Sequence, residues 1–475
     1  MKKIYLLAVA LAGTLLTSCS DFLDKVPLVV PSSETFLTNQ SAVTNYVNGL
    51  YIALPSAGAY GMGIMGEEKN SDNMVAMVYD RRMNGELQES IGGVTEWQKG
   101  YQNLRSVNYF LEYYKVPAAE ETAEVLSLKG EAYFFRAYWH YYLLTKFGSI
   151  PVMDKFWDGN ATVGGLQIPA RDRSAVAQFI LDDLKAAKEL LYSRSKYQGL
   201  RICKEAAMVM AMRVALFEGT WEKYHKGTDF AAAEYKSDDF LQQVLTLGDE
   251  LFQMGITLNT KENDKSVKNI DDAYGNLFNS KDLSATQEVL FWKKYSIADN
   301  LVHSLNTNLS SGMCDAEGPA GLSQSLVDNY LSVDGNFIDP TAAKFKDFNE
   351  SFKDRDGRLL ATVMHSDCKY KSMTVKGAKK MLVKAYSEED KDLINPPQIV
   401  STGNQSNTTG YHIRMGIDTT FVSGQGETAT PMIRYAEALL AYAEAAEELG
   451  ITVEACKKRV QRAKKKLQKI IEKDF

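Results

Sequence analysis

The stretch GEAYFFRAYWHYYLLTKFGSIP, residues 130–151, decides the fold class. Ala132, Phe135, Ala137, Tyr138, Tyr141, Tyr142 and Leu144 recur at helical steps and fill much of a helix circumference. A helix that is apolar on most sides must be packed on most sides, so this one belongs deep inside a helical body. The pattern reaches back to about residue 120, and Gly148 with Pro151 behind it forms the expected stop. Tyr133, Tyr138, Trp139, Tyr141 and Tyr142 lie on this helix and read as core.

Similar patterns flank it. Trp97, Tyr101, Leu104, Val107, Asn108 and Leu111 recur at three- and four-residue steps from Thr95 onward. Residues 173–192, 203–219 and 236–253 read as further helices, with Gly219 closing the second. A first helix runs from about residue 34 to 53, with Ser33 as its cap, and glycines at 58, 61, 63 and 66 mark the loop behind it. Neighbouring helices joined by short breaks, with small residues where they would touch, predict a mainly α fold of tetratricopeptide-like helix-turn-helix pairs. No clean 34-residue period is present. Residues 255–430 differ: Asn, Ser, Gly and Asp clusters surround short apolar runs such as Val289-Leu290-Phe291-Trp292, predicting an irregular, loop-rich segment with short strands. Helical periodicity returns at 431–449, where Pro431 opens a helix and Gly450 ends it.

The amino terminus gives an address. Lys2 and Lys3 precede an apolar run to Leu16, and Leu16-Thr17-Ser18-Cys19 closes it with small residues before a cysteine. That is a secretory signal ending in a lipobox, so residues 1–18 are cleaved and Cys19 is lipidated. The apolar run falls short of the roughly 20 residues a bilayer span needs. Several acyl chains on one cysteine give durable anchoring, where one chain is marginal. Residues 19–38, with Pro27 and Pro31, then form an extended tether.

Composition excludes other classes. A formal charge of −6 without a basic patch in the body argues against nucleic-acid binding. Cys203, Cys314, Cys368 and Cys456 are too few and too scattered for a disulfide framework, and none stands in a CxxC pair beside the five scattered histidines, so no metal or other cofactor is expected. Cys203, in an apolar helical pattern, reads as a small core residue. Adjacent acids such as Glu67-Glu68 and Asp182-Asp183 point apart on a helix or strand and do not make a hydrolytic pair. No GxSxG elbow or phosphate loop occurs.

Five stretches carry a family likeness: CSDFLD (19–24), residues 130–138 running on to 151, DDLKAA (182–187), residues 206–219, and IRYAEALLAYAEA (433–445). Weaker echoes are VDNY (327–330) with Asp334-Gly335, and RDGRL (355–359). In order and spacing the chain resembles the SusD/RagB family of outer-membrane nutrient-binding lipoproteins. The resemblance implies tetratricopeptide-like helical pairs carrying a more irregular region, in a domain spanning residues 39–450. It implies a surface-exposed lipoprotein that acts as a lid on a SusC-like TonB-dependent transporter, captures oligosaccharides and is not an enzyme. The chain departs from the family at its end. Relatives continue well past the Ala-Glu-Ala helix, whereas residues 451–475 here are a basic, helix-prone tail, read either as a solvated terminal helix or as a truncated or frame-shifted end.

Glycan capture needs flat aromatic faces for the C–H surface of the sugar and planar polar groups for its hydroxyls, best carried on loops held by a rigid scaffold. Residues 67–103 offer Asp72, Asn73, Tyr79, Arg81, Arg82, Trp97 and Asn103. Glycan-binding relatives use aromatic and polar residues from this part of the chain, which makes Trp97 and Arg81 the first choices. The alternative for Trp97 is a helix start that packs inward, and for the arginines a solvated surface. Tyr295 is a further ligand candidate, set against a buried position, and Trp292 beside it reads as core if it lies in a strand. Two other functions stay open: a peptide or glycopeptide ligand held by the same lid mechanism, and a helical scaffold that grips the transporter alone.

Overall fold

The computed structural model describes residues 36–57, 68–69, 71–76, 85–86, 95–157, 168–260, 270–305, 320–342, 350–365, 408–416, 424–452 and 455. Cys19, the signal segment, most of the tether, Tyr79, Arg81, Arg82 and the basic run beyond Ala455 lie outside them.

The chain is mainly helical. In order it forms α1 (Gln40–Leu50), β1 (Met74–Ala76), α2 (Thr95–Tyr113), α3 (Ala123–Phe147), α4 (Arg173–Leu190), α5 (Lys204–His225), α6 (Ser237–Leu251), α7 (Ile270–Asn279), β2 (Val289–Lys293), β3 (Ala320–Leu322), α8 (Gln324–Asn329), α9 (Gly357–Thr362), β4 (Thr430–Arg434) and α10 (Tyr435–Glu448). Helices α2 to α6 each pack on the next, and α10 returns to lie on α5 and α6. The result is a stack of helix–turn–helix pairs, the tetratricopeptide-like arrangement expected from the sequence. One continuous core runs through it from Val43 and Val47 to Ala438 and Tyr442.

The decisive helix forms for identifiable reasons. The Thr122 hydroxyl accepts from the Val125 N–H, satisfying one of the orphan donors at the start of α3. Gly148, at φ +69°, returns its N–H to the Leu144 carbonyl at the end. Phe134, Phe135, Trp139, Leu143 and Leu144 are buried, and the four tyrosines of this helix pack against the core while remaining half-buried.

Buried and half-buried charges join the helices. Arg136 of α3 makes a two-pronged pair with Asp183 of α4, both bonds at 2.7 Å. Arg173 of α4 does the same with Glu218 of α5, both at 2.8 Å. Arg213 of α5 pairs with Glu437 of α10 at 2.5 and 2.8 Å. Arg201 pairs with Glu131 of α3, which also accepts from the Tyr51 hydroxyl. The planar guanidinium matches a carboxylate with two parallel bonds, which fixes the relative position of two helices more tightly than apolar contact does.

The rest is built from short elements. Strand β1 pairs antiparallel with β3, and β2 with β4. A second core gathers Met74, Tyr295, Phe352, Leu359 and Val363 under this irregular part. Trp292 of β2 is buried, and its indole N–H donates to the Gln198 carbonyl at 2.9 Å, so it is a core residue. Cys203 is buried as expected.

Three boundaries differ from the sequence reading. Pro431 does not open a helix: it lies in β4 opposite Trp292, and α10 begins at Tyr435. Gly219 does not close α5, which continues to His225. A Cβ at Gly219 would meet Leu241 of α6 at 2.9 Å, so this glycine marks a close helix crossing. The first helix begins at Gln40 and is capped by the Asn39 side chain, which accepts from the Ala42 N–H.

Gly248 sits at the tightest of these crossings, where an added Cβ would collide with the Tyr442 ring of α10. The Tyr442 hydroxyl donates to Asp249 Oδ1 at 2.9 Å, so the ring is held from both ends. Gly248→Ala is expected to lower unfolding stability by about 1–3 kcal/mol through overpacking, outweighing the helix-propensity gain of about 1 kcal/mol. Urea denaturation of the two proteins measures the difference.

Candidate aromatic binding site

Trp97 lies in the first turn of α2, beside the end of α3. Its indole contacts Tyr101 one turn on, with ring centroids 4.7 Å apart and tilted by 52°. Phe147 of α3 meets it edge-on at 5.1 Å. The neighbours fix the indole, yet 37% of Trp97 stays exposed, against 2% for Trp139 further down α3. Trp97 thus begins a helix and packs on its neighbours, while part of its ring surface stays open. Tyr101 is anchored by its hydroxyl, which donates to the Pro151 carbonyl at 2.8 Å, and burial raises its pKa well above that of a free phenol. Lys99 stands 5.9 Å over both the Trp139 and Tyr142 rings, and Lys146 stands 5.1 Å over Tyr142. This end of α2 and α3 thus carries an aromatic surface bordered by cations.

The other expected residues are placed differently. Asp72 is exposed in the turn before β1. Asn73 spends its side-chain N–H on Glu68 Oε2 at 2.9 Å, and its carbonyl accepts from Ser323 N–H. Asn103 donates to the Lys99 carbonyl within its own helix. Six residues along a helix turn a side chain by about 120° from the starting direction, so Asn103 and Trp97 leave α2 on different faces. Among the described residues, no hydrogen bond or ring contact joins Trp97 to Asp72, Asn73 or Asn103.

Tyr295 requires a correction. It is 6% exposed; its hydroxyl accepts the Ala57 N–H at 2.9 Å and its ring stands edge-on to His303 at 4.5 Å. A tyrosine buried on its faces and bonded at its tip has no platform to offer a ligand. Its immediate neighbours Lys293, Lys294 and Ser296 are polar, so no local signal marked the burial, which comes from the packing around the ring. Conversely, Phe147 belongs to the aromatic surface although its position next to Gly148 had marked it only as a helix end.

Asp182 and Asp183 point apart, and Glu67 of the other adjacent pair lies outside the described residues. Asp183 is engaged by Arg136, whereas Asp182 faces out and accepts from Gln178. No group of three or more metal-ligating side chains occurs among the described residues.

Comparison with known proteins places the chain. Residues 282–469 match the model of the SusD family, and residues 21–216 match a model described as "Starch-binding associating with outer membrane". The chain belongs to the SusD/RagB family. Among solved structures it is similar to a SusD-like protein from Bacteroides fragilis (TM-score 0.65, 23% identity, covering 92% of this chain and 80% of that one). A SusD-like carbohydrate binding protein from the same species gives a TM-score of 0.63 at 20% identity, covering 90% and 79%. A laminarin binding SusD-like protein gives 0.53 at 16% identity, covering 90% and 84%. SusD-like protein P25 of Formosa agariphila is 23% identical over 223 residues, which are 43% of this chain and 41% of that protein, so the match spans about two fifths of the relative. The family is thus one of carbohydrate binding and outer-membrane association.

Proposed function

We propose that this protein is a surface-exposed lipoprotein, anchored through Cys19, that captures an oligosaccharide and delivers it to a SusC-like TonB-dependent transporter. The observation that carries the glycan reading is Trp97: an indole fixed by Tyr101 and Phe147 at one end of a rigid helix stack, with more than a third of its surface open. A pyranose presents a flat C–H face that packs on such a ring, and its hydroxyls take hydrogen bonds from the polar residues around it. The site binds without bond chemistry. Asp72 and Arg81, on the segment of sequence that precedes α2, are proposed as further ligand contacts.

Binding of this kind is weak per contact, in the micromolar to millimolar range, and concentration above a transporter compensates. Calorimetric titration of the mature protein with maltohexaose and laminarihexaose tests the reading. Trp97→Ala is expected to reduce affinity at least tenfold, the scale of one lost aromatic contact of about 1.4 kcal/mol, with an unchanged melting temperature. Equal affinity in the variant removes Trp97 from the site. Binding of a peptide pool in place of any saccharide replaces glycan with peptide as cargo.

A further inference from the structure

A second aromatic cleft lies further along α2, between that helix and α1. Tyr46 of α1 and Tyr109 of α2 stack almost parallel, with centroids 5.8 Å apart and planes 14° apart. Phe156, in the segment after α3, stands perpendicular to Tyr109, at 5.2 Å and 85°, and leans on Tyr113 at 5.7 Å. Two near-parallel rings and one perpendicular ring form a corner with a floor and a wall. The Arg105 guanidinium lies over the Phe156 ring at 4.6 Å and donates to the Trp157 carbonyl. Arg105 and Ser106, both exposed, border the same space, which measures about 540 Å³. Small-molecule sites typically fall within about 300–1,000 Å³.

We infer that this cleft is a second saccharide subsite, distinct from Trp97, which takes one pyranose ring. Its chemistry favours a sugar over an acyl chain or an apolar peptide side chain. The floor offers flat ring faces to the axial C–H surface, while a guanidinium and a hydroxyl stand at the rim where equatorial hydroxyls would project. An acyl chain would make no hydrogen bond with these rim groups, whereas a sugar adds to the bonds they already make to the Trp157 and Gln102 carbonyls. The floor is stiff. The Tyr46 hydroxyl donates to the Ser106 carbonyl at 2.9 Å, and burial with Tyr109 nearby pushes its pKa up to about 12, so it remains a neutral hydrogen-bonding group at any physiological pH. Tyr109 stands twelve positions beyond Trp97, about 18 Å along the helix and about 120° around it, so a long oligomer engages both places only by curving round α2, while a short one engages either.

The inference rests on the glycan reading above for its choice of probe, and the experiment separates the two. Maltohexaose, laminarihexaose and mannohexaose are titrated against the mature wild type, Trp97→Ala, Tyr109→Ala and Phe156→Ala, with each melting temperature recorded. Tyr109→Ala and Phe156→Ala are expected to weaken hexasaccharide binding about tenfold. Residual binding in Trp97→Ala is expected to vanish when Tyr109→Ala is added. Should Tyr109→Ala unfold, Phe156→Ala and Arg105→Met provide the same reading from outside the helix core. Wild-type affinity in the folded cleft variants, together with a loss in Trp97→Ala, overturns this subsite and leaves the proposed function standing. A wild type that binds none of the three saccharides overturns both.

Discussion

Glu218→Ala is expected to lower the unfolding free energy by about 3–5 kcal/mol, the range for removing one partner of a buried pair. Glu218 is fully buried and Arg173 nearly so, and their two bonds are both 2.8 Å. Truncating the carboxylate leaves a guanidinium that cannot shed its charge, since arginine stays protonated in proteins. Two features aggravate the loss. Arg173 stands in the first turn of α4, where the helix dipole is unfavourable to a cation. Its guanidinium is also stacked 4.0 Å over the Trp221 ring, so it cannot swing out to water without dismantling that contact. The double variant Arg173→Met, Glu218→Leu removes both charges and keeps apolar volume, and is expected to regain most of the lost stability. Equilibrium urea melts of the wild type, single and double variants decide the matter. A single variant within about 1 kcal/mol of wild type, the value of an exposed pair, would show that Arg173 finds solvent, and the clamp would then be ornamental.

The same reasoning explains why certain stretches were recognisable in the sequence. Four of the five segments that carried the family likeness hold charged partners, and the fifth, residues 19–24, lies outside the described residues. Arg136 in residues 130–138 meets Asp183 in residues 182–187, and Arg213 in residues 206–219 meets Glu437 in residues 433–445. The two weaker echoes are joined as well. The Arg355 guanidinium donates to the carbonyls of Val327 and Tyr330 at 2.5 and 2.7 Å, tying residues 355–359 to residues 327–330. Motif order and spacing are legible along a chain where a motif supplies half of a contact whose other half lies far away. The pairing itself is not legible, since nothing in the periodicity of α5 says which acid its arginine meets.

Helix content was readable for a related reason: burial of one face writes a 3.6-residue period into α4 and α6, and burial on most sides makes α3 a long, largely apolar run. The strand β4 was not. Its run Thr430-Pro431-Met432-Ile433-Arg434 flows directly into α10, and a proline before a helical pattern signals a helix start as readily as an edge strand. Its strand conformation comes from pairing with β2, about 140 residues earlier in the chain, which local propensity does not see. Site residues were the least legible. Trp97 and Tyr295 are both aromatic residues near polar neighbours, and the difference between 37% and 6% exposure arises from tertiary packing alone. Tyr46, Tyr109 and Phe156 meet only because α1, α2 and the segment after α3 converge.

The second large effect is a loss of stability on acidification that traces to one imidazole. His140 is fully buried in α3. Its Nε2 accepts the Met153 N–H at 3.1 Å, which leaves Nδ1 to carry the proton and donate to the Arg136 carbonyl at 2.9 Å. The neutral ring thus satisfies two backbone groups, and protonating Nε2 would set an N–H against an N–H. Burial pushes its pKa down to about 3, with the charges of Arg136 and Arg171 acting in the same direction against the backbone hydrogen bond. In the unfolded chain the ring titrates near 6.5. Below that value the unfolded state binds a proton that the folded state refuses, so stability falls as pH falls. The contribution is complete above pH 6.5 and is lost progressively between pH 6.5 and about 3, amounting to roughly 3–5 kcal/mol across the window at 1.36 kcal/mol per pH unit. Carboxylates such as Asp183 and Glu131, whose pKa values burial raises despite their arginine partners, act with the opposite sign and mask part of the slope. The comparison that isolates the imidazole is therefore wild type against His140→Gln, with unfolding free energy measured at pH 8, 6 and 4. The gap between the two proteins is expected to shrink by several kcal/mol as the pH drops, while the His140 ring resonances of the folded wild type stay in the neutral form at pH 5. A resonance that titrates near pH 6.5 in the folded state would mean that the ring is open to water and that the pocket formed by Met153 and the Arg136 carbonyl does not hold it.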